Sequence, residues 1–239
     1  MIVSWFSCGA ASALATAIAL DEFPETVVAR CIVDNEHEDN ERFHDDCEKW
    51  FGKEILRLRS DDYADCWEVW EHRQYISGIK GAPCTSEMKK AVRWAFEREH
   101  HPEGQVFGYT SEEVARAERF RQNNPEVFLL TPLIDNSLNK FDCLYCLECR
   151  GIEIPTMYKL GFSNNNCIGC AKATSIVYWA RTRHHFPDKF ARMSELSRRL
   201  GCRLTRLKGK RIFIDEIPLD IDWRKKDREN IECGLLCVA

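Results

Sequence analysis

The chain has 239 residues, with 34 Lys and Arg against 38 Asp and Glu, a net charge of −4 and a pI near 6.0. A chain this long buries a core without covalent staples, and its charge balance excludes a global basic field for nucleic acid, leaving room only for a local patch. It has no run of 18 apolar residues and no charged leader before its first apolar segment. The expectation is therefore a soluble cytoplasmic protein with no membrane partner, whose thirteen cysteines serve as metal ligands, redox groups or core residues rather than disulfides.

In chain order, residues 2–6 read as a strand and 11–23 as an Ala- and Leu-rich helix buried against a sheet. Residues 26–34 are apolar on both sides, as a central parallel strand requires. Helix 41–51, strand 54–59 and helices 66–73 and 86–100 follow, then strand 105–109, helix 112–123 and strand 127–133. The alternation predicts an α/β fold: a Rossmann-like parallel sheet with helices on both faces. Beyond about residue 140 the pattern changes to helix 139–150, a polar loop over 161–170, helices 175–185 and 187–200, and a hairpin whose arms are 202–207 and 211–215. This predicts a nucleotide-binding α/β region over 1–140. A smaller Cys-containing helical and hairpin region spans 141–239, and the two together are compatible with one compact unit.

The segment Ser7-Cys8-Gly9-Ala10-Ala11-Ser12 joins the first strand to the first helix. Small residues let a ligand approach the backbone, and the helix behind offers free N–H groups and the positive dipole end, which suits phosphate; a tight turn with nothing bound fits as well. Strand ends in parallel sheets gather ligands, which singles out Asp34 to Glu38 after the second strand and Gly108 to Arg119 after the fourth. Carboxylates there suit Mg²⁺ and arginines suit phosphate oxygens, while a polar loop and a solvated helix face are the alternatives.

Among the thiols, Cys167-Ile168-Gly169-Cys170 is a C-x-x-C in a loop able to wrap a metal, and Cys84 opens a helix, a position that favours thiolate. Cys233 and Cys237 offer further ligands or pin an apolar tail. The set Cys84, Cys167, Cys170 and one of Cys233 or Cys237 suits a [4Fe–4S] cluster or Zn²⁺. Cys143, Cys146 and Cys149 lie on a helix and read as core positions; Cys8, Cys31, Cys47, Cys66 and Cys202 read as isolated. Arg181, Arg183, His184, Arg198, Arg199 and the cations of 203–211 form either a local acid-binding face or solvated surface.

Taken together, the 7–12 loop, Gly81-Ala82-Pro83-Cys84-Thr85 with Met88-Lys89, the 106–110 segment with Glu113 and Arg116, and Asn166 to Cys170 resemble the PP-loop adenine-nucleotide α-hydrolases, in their phosphoadenosine-phosphosulfate-reductase-like branch. The resemblance runs over nearly the whole chain and extends to the ATP pyrophosphatases of DNA phosphorothioation. It implies that Ser7, Cys8, Gly9, Ala10, Ala11, Ser12, Asp34 and Gly108 bind nucleotide. Lys89, Glu113 and Arg116 then surround the phosphates and Mg²⁺ as catalytic groups, and Cys84, Cys167 and Cys170 hold a cluster. Cys8 stands where the family pattern has its first loop glycine, and Ala11 where it has aspartate.

The function so implied is cleavage of ATP to AMP and pyrophosphate, activating an acceptor for sulfur transfer, with a DNA backbone phosphate as acceptor, a cysteine desulfurase as sulfur donor and a homo-oligomer as possible assembly. A phosphoadenosine or adenosine phosphosulfate reductase and a non-catalytic nucleotide-binding module remain the alternatives.

Overall fold

A computed structural model describes residues 1–79 and 81–225; Cys233 and Cys237 lie outside the described residues. Five strands, β1 (Ile2–Trp5), β2 (Val27–Cys31), β3 (Ile55–Leu58), β4 (Gly104–Val106) and β5 (Leu129–Leu130), form one parallel sheet in the order β3-β2-β1-β4-β5. Ser4 pairs in register with Val28 on one side and Val106 on the other, so β1 is central. The strand order reverses between β1 and β4, which opens a crevice at their carboxyl ends.

Helices α1 (Ala10–Glu22), α2 (Asp39–Phe51), α3 (Cys66–Arg73), α4 (Pro83–Thr85), α5 (Ala91–His100), α6 (Val114–Asn123) and α7 (Pro132–Asp135) fill the connections. The helical path from Pro83 to His100 carries a π-helical turn over Ser86–Lys90, and α6 is preceded by a 3₁₀ turn over Ser111–Glu113. The apolar run expected as strand 127–133 pairs only over Leu129–Leu130. Pro132, which has no N–H to give a ladder, opens α7 instead.

Side chains of β1 alternate between two cores, as the pleat dictates. Val3 and Trp5 pack with Phe96, Phe107 and Phe120 under α5 and α6, and the Trp5 indole donates to Gln105 at 2.9 Å. Phe6 packs on the opposite side with Ala10, Ala13 and Leu14 of α1 and Phe43 of α2. The small residues of α1 admit close neighbours, and one is α8 (Lys140–Cys149), whose Cys143 and Leu147 are wholly buried there. Cys146 is half-buried and Cys149 exposed, so the three cysteines do not share one core stripe. A spacing of three drifts about 60° around a helix per step.

A third core sits beyond the strand ends. It is built from Trp67 and Trp70 of α3, Met157 of α9 (Thr156–Lys159), Trp179 of α10 (Ile176–His185) and Met193 of α11 (Pro187–Arg199). The antiparallel hairpin of β6 (Thr205–Leu207) and β7 (Lys210–Ile212) is tied to it by Thr205, whose hydroxyl donates to the Thr174 carbonyl at 2.8 Å. Arg42 of α2 fastens α9 to the sheet: it pairs with Asp39 and donates to the Glu153 carbonyl at 3.0 Å, while Asp39 accepts from the Thr156 N–H at 2.8 Å. The Arg42 bond holds the Asp39 carboxyl well below the usual carboxylate range.

Gly108 is fixed by contact rather than by dihedral. A Cβ there would lie 2.7 Å from the Ser12 nitrogen and 2.8 Å from the Ser12 Cα. Gly108→Ala must therefore push α1 from the sheet, an overpacking cost of about 1–3 kcal/mol. Thermal and urea unfolding should show that loss, while Gly151→Ala, on an open surface, should be destabilised only through its left-handed backbone.

Candidate functional site

The β1–α1 loop lies at the strand reversal, with Ser12 buried and Ser7 exposed. Ser12 Oγ accepts from the Ser7 N–H at 3.1 Å and the Gly9 N–H at 3.3 Å and donates to the Gly9 carbonyl at 2.9 Å. The Ala10 N–H donates to the Tyr158 hydroxyl at 3.4 Å, so a tyrosine from α9 sits on the helix N-terminus. Burial pushes the Tyr158 phenol up to about 12, which keeps it neutral. Cys8 takes a left-handed φ of 55° and is 0% exposed. Its thiol donates to the Asn40 carbonyl at 3.5 Å and burial raises it well above its ordinary range, so the side chain belongs to the core and only its backbone faces the loop. Asn165 locks this arrangement from the polar loop, donating to the Cys8 carbonyl at 2.6 Å and to Asn40 Oδ1 at 2.7 Å.

The sides of the crevice differ. On the β4 side, Gly108 touches Ser12, Thr110 and Glu113 form a capping box, and Glu113 pairs with Arg116, whose guanidinium lies 5.4 Å from the Tyr109 ring centre. On the β2 side, Glu36 is buried between two cations. It accepts from Arg30 at 3.2 Å, from Lys89 Nζ at 3.1 Å and from Asn40 at 3.1 Å. Asp34 is not brought to the loop; it is half exposed and pairs with Arg59, which follows β3, at 2.6 Å. Both line a cleft of about 460 Å³ with Arg30, Glu36, Ile168 and Lys189.

Lys89 also leads to the thiols. Its charge, with that of Lys172, bears on Cys84. The side chain of Cys66 lies in one core with those of Cys84 and Cys167, and these two thiols bear on its ionisation. Three thiols from three segments therefore meet: Cys66 at the start of α3, Cys84 in α4 and Cys167 in the polar loop. The neighbouring Cys66 thiol holds Cys84 below its ordinary range against the opposing effect of burial, with the charges of Lys172 and Lys89 acting in the same direction, while the neighbouring thiols and burial raise Cys66. Cys170 is buried in the same core. The Tyr178 hydroxyl accepts from the Cys170 N–H at 2.8 Å and donates to the Cys167 carbonyl at 3.3 Å, and Gly169 supplies the positive φ of the turn.

Cys66 is thus not an isolated thiol, contrary to the sequence reading. The signal was present: Cys66 follows the N-cap Asp65, so it opens a helix as Cys84 does. Tyr158 and Asn165 carried no signal of their own, and Asn35 stood out only as one of the polar residues after the second strand. The expected basic face over 181–211 is not a single surface. Arg181 is buried, Arg183 donates to the carbonyls of Ile217 and Pro218, Arg198 pairs with Asp215 and Glu216, and Arg199 pairs with Glu71. Arg203, Arg206, Lys208, Lys210 and Arg211 remain exposed on the hairpin. Among the described residues, no helix is long and apolar enough to cross a membrane.

The donor set suits a sulfur-preferring group. Converging thiols select iron–sulfur clusters or Zn²⁺ over hard cations, and two lysines near Cys84 offset thiolate charge.

Arg30 also faces His44 Nδ1 at 3.4 Å, and His44 Nε2 meets Glu48 at 3.2 Å. Burial lowers the His44 pKa from 6.5, with Arg57 and Arg30 adding to it. A depressed folded value means that this contribution to stability is complete above pH 6.5 and is lost as pH falls toward the folded value. Urea midpoints measured from pH 7.5 to 5 should decline, and His44→Gln should flatten the decline.

No protein-family model matches the sequence, and no curated protein matches it. Among solved structures, the chain is similar to the U34-tRNA thiolase NcsA from Methanococcus maripaludis, solved with its [4Fe-4S] cluster; the two share 13% sequence identity at a TM-score of 0.48, over 84% of this chain and 72% of that one.

Proposed function

We propose that this chain is an ATP pyrophosphatase of PP-loop type that activates an acceptor for sulfur transfer. The observation that carries the reading is the gathering of Cys66, Cys84 and Cys167 in one core beside the crevice at the strand ends, where Lys89, which bears on Cys84, pairs with Glu36. ATP binds with its phosphates at the 7–12 loop. An acceptor oxygen attacks the α-phosphorus, pyrophosphate leaves, and the adenylylated acceptor is then open to displacement of AMP by sulfur. Such chemistry rests on positioning and charge neutralisation.

Within this reading, Ser12 shapes the loop, Glu113 and Arg116 border the phosphates from the β4 side, and Lys89 answers charge from the β2 side. With Ala11 at the family's aspartate position, Glu36 is the carboxylate best placed to act with Mg²⁺, on release from Lys89. Cys66, Cys84 and Cys167, with Cys170 at hand, hold a [4Fe–4S] cluster, or Zn²⁺. A bound cluster supplies a redox-active sulfur centre. The acceptor is a nucleic acid, a DNA backbone phosphate by the sequence resemblance, and the exposed hairpin cations suit a polyanion. A cysteine desulfurase is the corresponding sulfur donor.

Incubation with Mg²⁺ and ATP should release AMP and pyrophosphate in equal amounts. Ser12→Ala and Lys89→Ala should each lower that rate by about 100-fold. Unchanged rates in folded variants would remove the loop and Lys89 from the mechanism. Sulfite release from an adenylylated sulfate, with no pyrophosphate from ATP, would favour the reductase.

Mass analysis of nucleic acid from cells with and without the protein identifies the acceptor. Phosphorothioate linkages support DNA, and thiolated tRNA nucleosides move the acceptor to RNA.

A further inference from the structure

Asn35 follows β2 and is 1% exposed. Its Oδ1 accepts from the Cys66 N–H at 2.6 Å, and its main-chain carbonyl accepts from the Ile168 N–H at 2.8 Å. One residue thus grips the start of α3 at Cys66 and the polar loop one position past Cys167. Because the Cys66 N–H is a donor, the carbonyl end of the Asn35 amide must face it, which fixes the other end as NH₂. That Nδ2 is buried and has no hydrogen-bond partner among the described residues.

A second orphan lies beside Cys84. The hydroxyl of Thr85 is buried without a partner among the described residues, in a residue 4% exposed. The segment that carries Cys84 and the residue that grips the other two thiol-bearing segments therefore each bring a donor with nothing to donate to among the described residues. Native proteins leave few buried polar groups unpaired, so two orphans around one site point to an acceptor that completes it. Neutral thiols are weak acceptors, whereas the thiolates and sulfides of an iron–sulfur group are strong ones.

We propose that Asn35 Nδ2 and Thr85 Oγ1 are positioning donors reserved for the sulfur atoms of a cluster held by Cys66, Cys84 and Cys167. The inference rests on the reading of the thiol site given above. Hydrogen bonds to cluster sulfur stabilise the reduced, more negative form and raise the reduction potential.

The test uses the full chain, reconstituted anaerobically with ferrous iron and sulfide, as wild type, Thr85→Val and Asn35→Asp. Potentiometric titration followed by electron paramagnetic resonance should show equal iron per chain and a more negative potential in both variants. The shift should be larger in Asn35→Asp, which keeps the acceptor for Cys66 but replaces a donor with a charge. A second readout needs no redox chemistry. Before loading, Thr85→Val should melt at or above the wild type, because it removes an unpaired hydroxyl; after loading it should melt below.

A packing role for Thr85 would lower both melting points alike and would overturn the proposal, as would an unchanged potential in the loaded variants. If Asn35→Asp does not fold, Thr85→Val carries both readouts alone. A wild type that takes up no iron and sulfide overturns the cluster reading, and this inference with it, whereas a loaded wild type with indifferent variants overturns this inference alone.

Discussion

The carboxylate of Glu36 holds the structure's functional half together. It is nearly inaccessible to water and lies between Arg30 and Lys89, with Asn40 as a third donor. Taking charges out of water is costly, and the cost is offset here because both carboxylate oxygens find donors, two of them cationic. Arg30 extends the network to Glu41 at 3.0 Å on the outer side of α2. Lys89 extends it toward Cys84. Loss of either cation would strand a buried charge, so the network ties α2, the π-helical turn and the thiol segments into one arrangement.

Around that network the molecule divides its labour by strand end. The β1 end carries the small-residue loop, the β4 end carries Gly108 and the Thr110–Glu113 capping box, and the β2 end carries Asn35 and Glu36, which face the thiols. The third core then closes over these ends with aromatic residues, bringing Tyr158 onto the loop and Tyr178 onto the cysteines. The crevice wall and the thiol segments are thus joined through consecutive positions after one strand, Asn35 and Glu36.

Much of the fold was legible because it is written locally. The apolar strands, the Ala-rich α1 and the helix from Cys66 to Arg73 follow from periodicity, which needs only neighbours in sequence. The run ending at Leu133 misled because hydrophobicity does not distinguish strand from the approach to a Pro-started helix. The site was legible in part. Small residues after a strand and a C-x-x-C in a Gly- and Asn-rich loop carry their own signal. Cys66 carries only the weak signal of a helix start, and its meaning comes from Cys84 and Cys167, which only the tertiary fold brings to it. Asn35 is the extreme case: an ordinary turn residue by sequence, it is defined by two hydrogen bonds to segments far along the chain. The basic residues of 181–211 failed for the opposite reason. Composition counts charges but not the carbonyls and carboxylates that already hold them.

The absence of a side chain at Gly108 has a mechanical consequence. With backbone packed directly on backbone at Ser12, no flexible side chain lies between the β4 loop and the start of α1 to absorb motion. The two loops form one rigid lever. A ligand that shifts the small-residue loop by a fraction of an ångström carries Thr110, Glu113 and Arg116 with it, so both walls of the crevice respond as a single part.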